Sequence, residues 1–204
     1  MKKIPTLFKR EFENHKVVKV LPEVTPGFEW VLNGEGIATV KLDGSCCAII
    51  NGELYKRYDA KPGRFIPPDA IPCCDPDPIT KHWPHWVKCD QHRADDKWFW
   101  AAHHYSLSWE KAINNKEVLP DGTYEAIGKH FNGNPYGMIL DQMVPHGTFA
   151  VYLPDRSFEA IREWIKNVNE EGIVFWKDNE PQCKIKRSDF GFEWPIKSNK
   201  QNQG

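Results

Sequence analysis

Short stretches of alternating or continuous apolar residues dominate the first half of the chain, and one clear helical period stands near its end. "ATVKLDG" (38–44), "SCCAII" (45–50) and "ELYKR" (53–57) read as three strands. Asn51-Gly52 lies between the last two and favours a type I′ turn, which predicts a hairpin. "DKWFWAAHHY" (96–105) is aromatic enough to read as a buried or half-buried strand, and "GTYEAIG" (122–128) and "HGTFAVYLP" (146–154) read as two more. In "DRSFEAIREWIKNVNEE" the residues Phe158, Ile161, Ile165 and Val168 share one helical face, with Asp155 or Ser157 as N-cap. "GIVFW" and "CKIKR" close the pattern as two strands. Neighbouring strands with one strong helix predict an α+β domain built on antiparallel sheet with flanking helices. A single domain over 1–197 followed by a polar, disordered tail over 198–204 is the expectation.

Between Lys61 and Pro84 the proline density argues for an irregular surface excursion. Composition narrows the function classes. Twenty-seven Lys and Arg against 28 Asp and Glu leave a net charge of −1, so any polyanion must meet a local patch rather than a global field. Nine Trp and 11 Phe supply rings beyond what a core needs, fit for stacking on flat ligands. "MKKIPTLFKR" is basic but has no apolar segment of the signal-peptide kind, and no run is long enough to span a bilayer. Six cysteines without an export signal point to reduced thiols in a cytoplasmic compartment. Cys73, Cys74 and Cys89 lie near His82, His85 and His92, the right atom types for zinc, but their spacing fits no familiar closed site. Cys46 and Cys47, adjacent on a strand, point to opposite faces.

The candidate chemistry begins at "KLDG". A lysine acting as a nucleophile must be neutral, and an ordinary amine at pH 7 is neutral in only a few molecules in about 10⁴. A site that uses one therefore gathers cations, both to lower that barrier and to receive charge on a phosphate under attack. "CKIKR" places Lys184 and Lys186 two apart, so that on a strand both ammonium groups project from one face. Glu171 sits at a turn before an apolar strand, where it can hold a divalent metal or its waters. Glu125, mid-strand between apolar neighbours, needs a partner that a ribose hydroxyl pair would provide. Arg57, at the far end of the hairpin, is placed either to fork onto a phosphate or to pair with Asp59 or Glu53.

Taken in order, "KLDG", "YKR", "YEAIG", "EGIVF" and "KIKR" resemble the nucleotidyl-transfer motifs of the covalent nucleotidyltransferase superfamily, which includes polynucleotide ligases and capping enzymes. "KLDGSCC", "YEAIGKHFNGNPYG", "VPHGTF" and "EGIVFW…CKIKR…GFEWPI" narrow the likeness to the vertebrate-type ATP-dependent 5′–3′ RNA ligase family, over most of the chain, with 61–120 matching least. The resemblance implies a ligase adenylation domain that uses ATP and Mg²⁺ or Mn²⁺. It implies joining of an RNA 5′-phosphate to a 3′-hydroxyl through lysyl-AMP and an adenylylated RNA. Lys41 would be the nucleophile, and Asp43 would orient it or a metal-bound water. Arg57 would hold the ribose or a phosphate, Glu125 the ribose hydroxyls, and Glu171 the metal through water. Lys184 and Lys186 would contact the α-phosphate, Lys186 being the better match to this family. Phe149 and Val174 would sandwich adenine, and Asn132, Asn134 and Tyr136 belong to the family's local signature. The residues after Arg187 are too few for an appended OB-fold, which favours an RNA-sealing enzyme over a capping enzyme or DNA ligase. A GTP-using guanylyltransferase and a non-catalytic nucleic-acid-binding module of the same fold are the alternatives. The basic N-terminus, Lys197 and Lys200 are candidates for RNA contact.

Overall fold

The computed structural model describes residues 2–13 and 16–196; Lys197, Lys200 and the tail lie outside the described residues. In chain order the strands are β1 (Phe8–Glu13), β2 (Lys16–Val24), β3 (Ile37–Lys41), β4 (Ser45–Ile50), β5 (Glu53–Ala60), β6 (Ile71–Pro72), β7 (Trp83–Lys88), β8 (Gly122–Ile127), β9 (Gln142–Pro145), β10 (Gly172–Lys177) and β11 (Glu180–Lys186). The helices are α1 (Glu29–Leu32), α2 (Lys97–Asn114) and α3 (Phe158–Asn167), with a short 3-10 turn at Arg187–Phe190. All pairings between these strands are antiparallel, so the α+β expectation holds in its coarse form: antiparallel sheets with few helices. No helix among the described residues is long and apolar enough to cross a membrane.

Chain contacts group the described residues into two compact units. One, here the middle-segment unit, holds Asp43–His146 with the described part of Met1–Lys3; the outer-segment unit holds the described parts of Ile4–Leu42 and Gly147–Gly204.

The middle-segment unit is a six-stranded sheet in the order β6-β7-β5-β4-β8-β9. The Asn51-Gly52 turn joins β4 to β5 as its sequence requires: Asn51 takes a left-handed φ of 53°, and both amides donate to the Asp121 carboxylate. Cys47, Ile49, Leu54, Tyr124, Ala126 and Met143 form the buried side of this sheet, and α2 lays Phe99, Trp100, Ala102 and Leu107 against it. Here the sequence expectation was wrong. "DKWFWAAHHY" is the first half of a helix of 18 residues, not a strand. Its apolar positions recur at helical spacing through Leu107, and Asn115 ends it in the left-handed conformation. Aromatic richness favoured a strand locally, but burial of one helical stripe decided the outcome.

The outer-segment unit pairs the β1–β2 hairpin with a three-stranded sheet in the order β11-β10-β3. Ala38, Ile173, Phe175, Cys183 and Ile185 line one face of that sheet and join Ile161 and Ile165 of α3 in a core. Ser157 is the N-cap of α3, its hydroxyl accepting from the Ala160 amide. The helix stops at Asn167, so Val168 caps it rather than extending its apolar face. The strand expected over 146–154 is a turn followed by one bridge, Thr39 to Ala150, with Val40 N–H donating to Phe149 and Val151 N–H to Ala38. β1, β2, β6, β7 and β9 were not foreseen; the last four each contain a proline, which masks a strand pattern.

Phe175 is fully buried between α3 and the sheet. Phe175→Ala should cost about 3–5 kcal/mol, read as a lower urea midpoint with an unchanged slope; a loss below about 1 kcal/mol would contradict this packing.

Candidate functional site

The three-stranded sheet has two chemically opposite faces, and the second one carries the candidate chemistry. Because Ile173, Phe175, Cys183, Ile185 and Ala38 fill the core side, the alternate residues Thr39, Lys41, Gly172, Val174, Lys184 and Lys186 project from the other. Register fixes their rows. Gly172 is the partner of Lys41 on β3 and of Lys186 on β11, while Val174 is the partner of Thr39 and of Lys184. The two lysines of the first row therefore flank a residue with no side chain. A Cβ on Gly172 would fall 2.1 Å from the Ile185 carbonyl oxygen and 2.8 Å from the Lys186 Cα, so only glycine lets β10 approach β11 this closely.

Glu171 precedes β10 and is nearly buried, at 8% exposure. Its Oε2 accepts from the Lys41 ammonium, and its Oε1 lies 3.6 Å from Lys186 Nζ. One carboxylate thus spans the row and holds both cations of it. Lys41 also donates to the Leu42 carbonyl at 3.4 Å. Lys184, one row away, makes no ion pair among the described residues, and its amine is pushed down to about 8 by burial, then by Lys41 and Lys186. Glu171 opposes that shift without cancelling it, so the face carries more positive charge than its own carboxylate neutralises. Such an excess is a ready receiver for phosphate oxygens.

Two features hold Lys186 in place. Asp189 accepts from the Lys186 backbone N–H at 2.8 Å and pairs with Arg10 at 2.6 Å. Arg187, nearly buried, donates to the carbonyls of Ile165 and Val168 at the end of α3 and to Glu193. Arg10, expected to serve RNA as part of the basic N-terminus, is thus engaged inside its own unit. The adenine candidates are placed less alike: Phe149 is 48% exposed in the turn beside β3, and Val174 is half-buried at the centre of the lysine face. Trp176, which the sequence did not single out, donates its indole N–H to Thr39 Oγ1 at 2.8 Å on the same sheet.

The remaining candidates lie in the middle-segment unit and form their own arrangement. Asp43 Oδ1 accepts from Asn132 Nδ2 at 2.8 Å, and the Asp43 amide donates to the Tyr136 hydroxyl at 2.8 Å. Asn132 also donates to the Gly44 carbonyl at 2.6 Å. The "FNGNPYG" loop therefore grips the "DG" of "KLDG". Asn132 and Asn134 reach it with left-handed φ of 43° and 56°, and the Asn134 amide group closes the turn onto Met138. Gly44 N–H donates to Glu125 Oε1 at 3.0 Å, while Glu125 Oε2 meets His146 Nε2 at 2.9 Å. Glu125 is thus mid-strand and part-buried as expected, but already satisfied by protein groups. His146 lies within "VPHGTF" but was given no role of its own, because its partners sit on β8.

Arg57 lies on β5, half-buried, with its Nε shielded from solvent and making no hydrogen bond; neither Asp59 nor Glu53 pairs with it, since these hold His82 and Lys88. It opens onto a pocket of about 340 Å³ shared with Lys2, Lys3, Asp59, Asp75 and His82 and walled by the proline-rich segment. The suggested zinc group does not assemble: Trp83 Nε1 donates to the Cys74 carbonyl, His85 pairs with the Trp83 carbonyl, and Cys89 is packed in the core.

For divalent metal, Glu171 is the fitting donor on the lysine face: a hard carboxylate at the rim of a cationic surface, able to take one position while phosphate oxygens and waters take the rest.

The Lys184 environment has a measurable consequence. Below pH 8 the folded protein bears a crowded, buried charge that the unfolded chain hydrates freely, so stability rises as pH climbs from about 8 towards 10.5. Lys184→Met should stabilise the protein at pH 7 by about 2 kcal/mol, with the gain shrinking towards pH 10 in urea titrations. A gain that grows with pH would contradict the crowding.

Comparison with known proteins identifies relatives of the chain. The family profile of RNA ligase 1 matches residues 57–203. RNA ligase 1 of Rattus norvegicus is 24% identical over 269 aligned positions, covering 96% of this chain and 82% of the relative. The protein of the same name from Danio rerio is 25% identical, covering 78% of this chain and 68% of the relative, and that from Pongo abelii is 23% identical over 78% and 69%. With the profile spanning well over half of its length, the chain belongs to the RNA ligase 1 family.

Proposed function

We propose that this chain is an ATP-dependent RNA ligase that seals a 5′-phosphate to a 3′-hydroxyl through a lysyl-AMP intermediate. The observation that carries the reading is the row Lys41–Gly172–Lys186 bridged by Glu171, in a chain of the RNA ligase 1 family. A reactive amine, a phosphate-receiving cation and a carboxylate on one rigid sheet face are the parts that nucleotidyl transfer to lysine requires.

In the first step the Lys41 nitrogen attacks the α-phosphorus of ATP. An N–P bond forms, the bond to the β-phosphate oxygen breaks, and pyrophosphate leaves with the amine's proton passing to solvent. Lys186 and Lys184 stabilise the charge that builds on the α-phosphate oxygens. Glu171 holds Lys41 in position beforehand and releases it as the triphosphate draws the lysines forward. A Mg²⁺ ion, when bound, would neutralise the triphosphate and ease the departure of pyrophosphate; on the lysine face Glu171 is the residue that would hold it. In the second step an oxygen of the RNA 5′-phosphate takes the adenylyl group, the N–P bond breaks, and Lys41 regains its proton. A 3′-hydroxyl then displaces AMP and closes the phosphodiester. The family resemblance gives Glu125 the ribose hydroxyls, Arg57 a phosphate or the ribose, and Phe149 and Val174 the faces of adenine.

Incubating the protein with Mg²⁺ and α-labelled ATP should attach acid-labile label to the denatured chain. Lys41→Ala should abolish it, and Lys186→Ala should cut its rate at least 100-fold while leaving RNA affinity within about twofold. Label from GTP alone would favour a capping-type enzyme, label from neither a binding module, and sealing of DNA ends but not RNA ends would overturn the substrate.

A further inference from the structure

We infer that Cys46, Glu125 and His146 form a binding site for one borderline transition-metal ion, with Zn²⁺ its best match. All three belong to the middle-segment unit, and the site stands independently of the ligase reading. Cys46 on β4 and Glu125 on β8 are register partners, so their side chains leave the sheet on the same face. His146 follows β9, and its amide donates to the Thr123 carbonyl, which brings its ring over Glu125. The thiol sulfur, a carboxylate oxygen and a ring nitrogen lie within 4.8 Å of one another, on partly buried residues. A tetrahedral ion with bonds of about 2.0–2.3 Å holds its donors roughly 3.3–3.8 Å apart, so side-chain shifts of about 1 Å close the site.

The surrounding bonds prepare each donor. Gly44 N–H occupies Glu125 Oε1 and leaves Oε2 to face the cluster. Thr123 Oγ1 lies 3.0 Å from His146 Nδ1. A hydroxyl both donates and accepts, so it serves either tautomer. Without metal, Nε2–H donates to Glu125 and the Thr123 hydroxyl donates to Nδ1. With metal, Nδ1–H donates to Thr123 Oγ1 and Nε2 offers its lone pair. Burial and the Glu125 charge keep the Cys46 thiol protonated. Binding replaces that proton with the ion. A sulfur, a nitrogen and one oxygen suit zinc and its neighbours rather than Mg²⁺, which takes oxygen ligands; a fourth position is left for water.

Cobalt is the probe. Metal-free full-length protein titrated with Co²⁺ should develop a thiolate-to-cobalt charge-transfer band saturating at one equivalent, and one equivalent of Zn²⁺ should remove it. Cys46→Ser and His146→Gln should lose the band, Thr123→Val should weaken binding about 10-fold, and Cys73→Ser should keep it. Independently of any variant, Zn²⁺ should slow alkylation of Cys46 at least 10-fold without protecting Cys73, read by peptide mapping. Absence of the band in the unaltered chain, its persistence in Cys46→Ser, or unprotected Cys46 would overturn the site. On the ligase reading, ATP should compete with cobalt for Glu125; a band indifferent to ATP would count against the ribose role of Glu125 and leave the metal site standing.

Discussion

The arrangement of this protein turns on a single sheet row in which two lysines flank a glycine and share one carboxylate. Like charges side by side on a sheet repel, and Lys41 and Lys186 are kept in one row only because Glu171 bridges them and because β10 cannot sit elsewhere. What prevents β10 from sliding is the opposite face. Ile173 and Phe175 are packed in the core with Ile161 and Ile165 of α3, and a slip of β10 by one residue would turn both towards the lysine face and bring Gly172 and Val174 to the core. The hydrophobic packing and the charged surface are therefore two sides of one register. Gly172 is its tightest point, since any side chain there would meet the Ile185 carbonyl.

This coupling accounts for the cost visible at Lys184. A cation half-buried beside two others is unfavourable, and its amine is depressed first by burial and then by those two neighbours. Arg10, Asp189 and Arg187 hold the end of β11 against that strain with bonds to backbone and to the end of α3. Holding this much positive charge together is the reverse of what stability alone would favour, and it suits the polyanionic ligand of the proposed reaction.

How much of this was legible beforehand differs by level. The strands over "IATVK", "SCCAII", "GTYEAI" and "GIVFWK" were readable because one face of each is apolar, and α3 because its stripe repeats at helical spacing. α2 was misread because Trp98, Phe99 and Trp100 weigh towards strand within a short window, while the helical period shows only when the window extends to Leu107. β7 and β9 were hidden by Pro84 and Pro145. For the site, Lys184 and Lys186 follow from spacing alone, since two residues apart on a strand means one face. That Gly172 would separate Lys41 from Lys186 was not legible, because register across distant strands is a property of packing rather than of any local pattern. The role of His146 was invisible for the same reason.

The loop between β3 and β4 illustrates a different economy. Leu42, Asp43 and Gly44 make no ladder bonds of their own, and such a connection would ordinarily be mobile. Asn132, Tyr136 and Glu125 hold it instead, the first through both the Asp43 side chain and the Gly44 carbonyl, the others through backbone amides. Four hydrogen bonds from two loci distant in sequence fix two residues, which is a large investment for a turn that packs little apolar surface. The same logic explains why the asparagines of "FNGNPYG" tolerate left-handed backbone: the loop is shaped to reach "DG", and its strain is held by the contacts it makes.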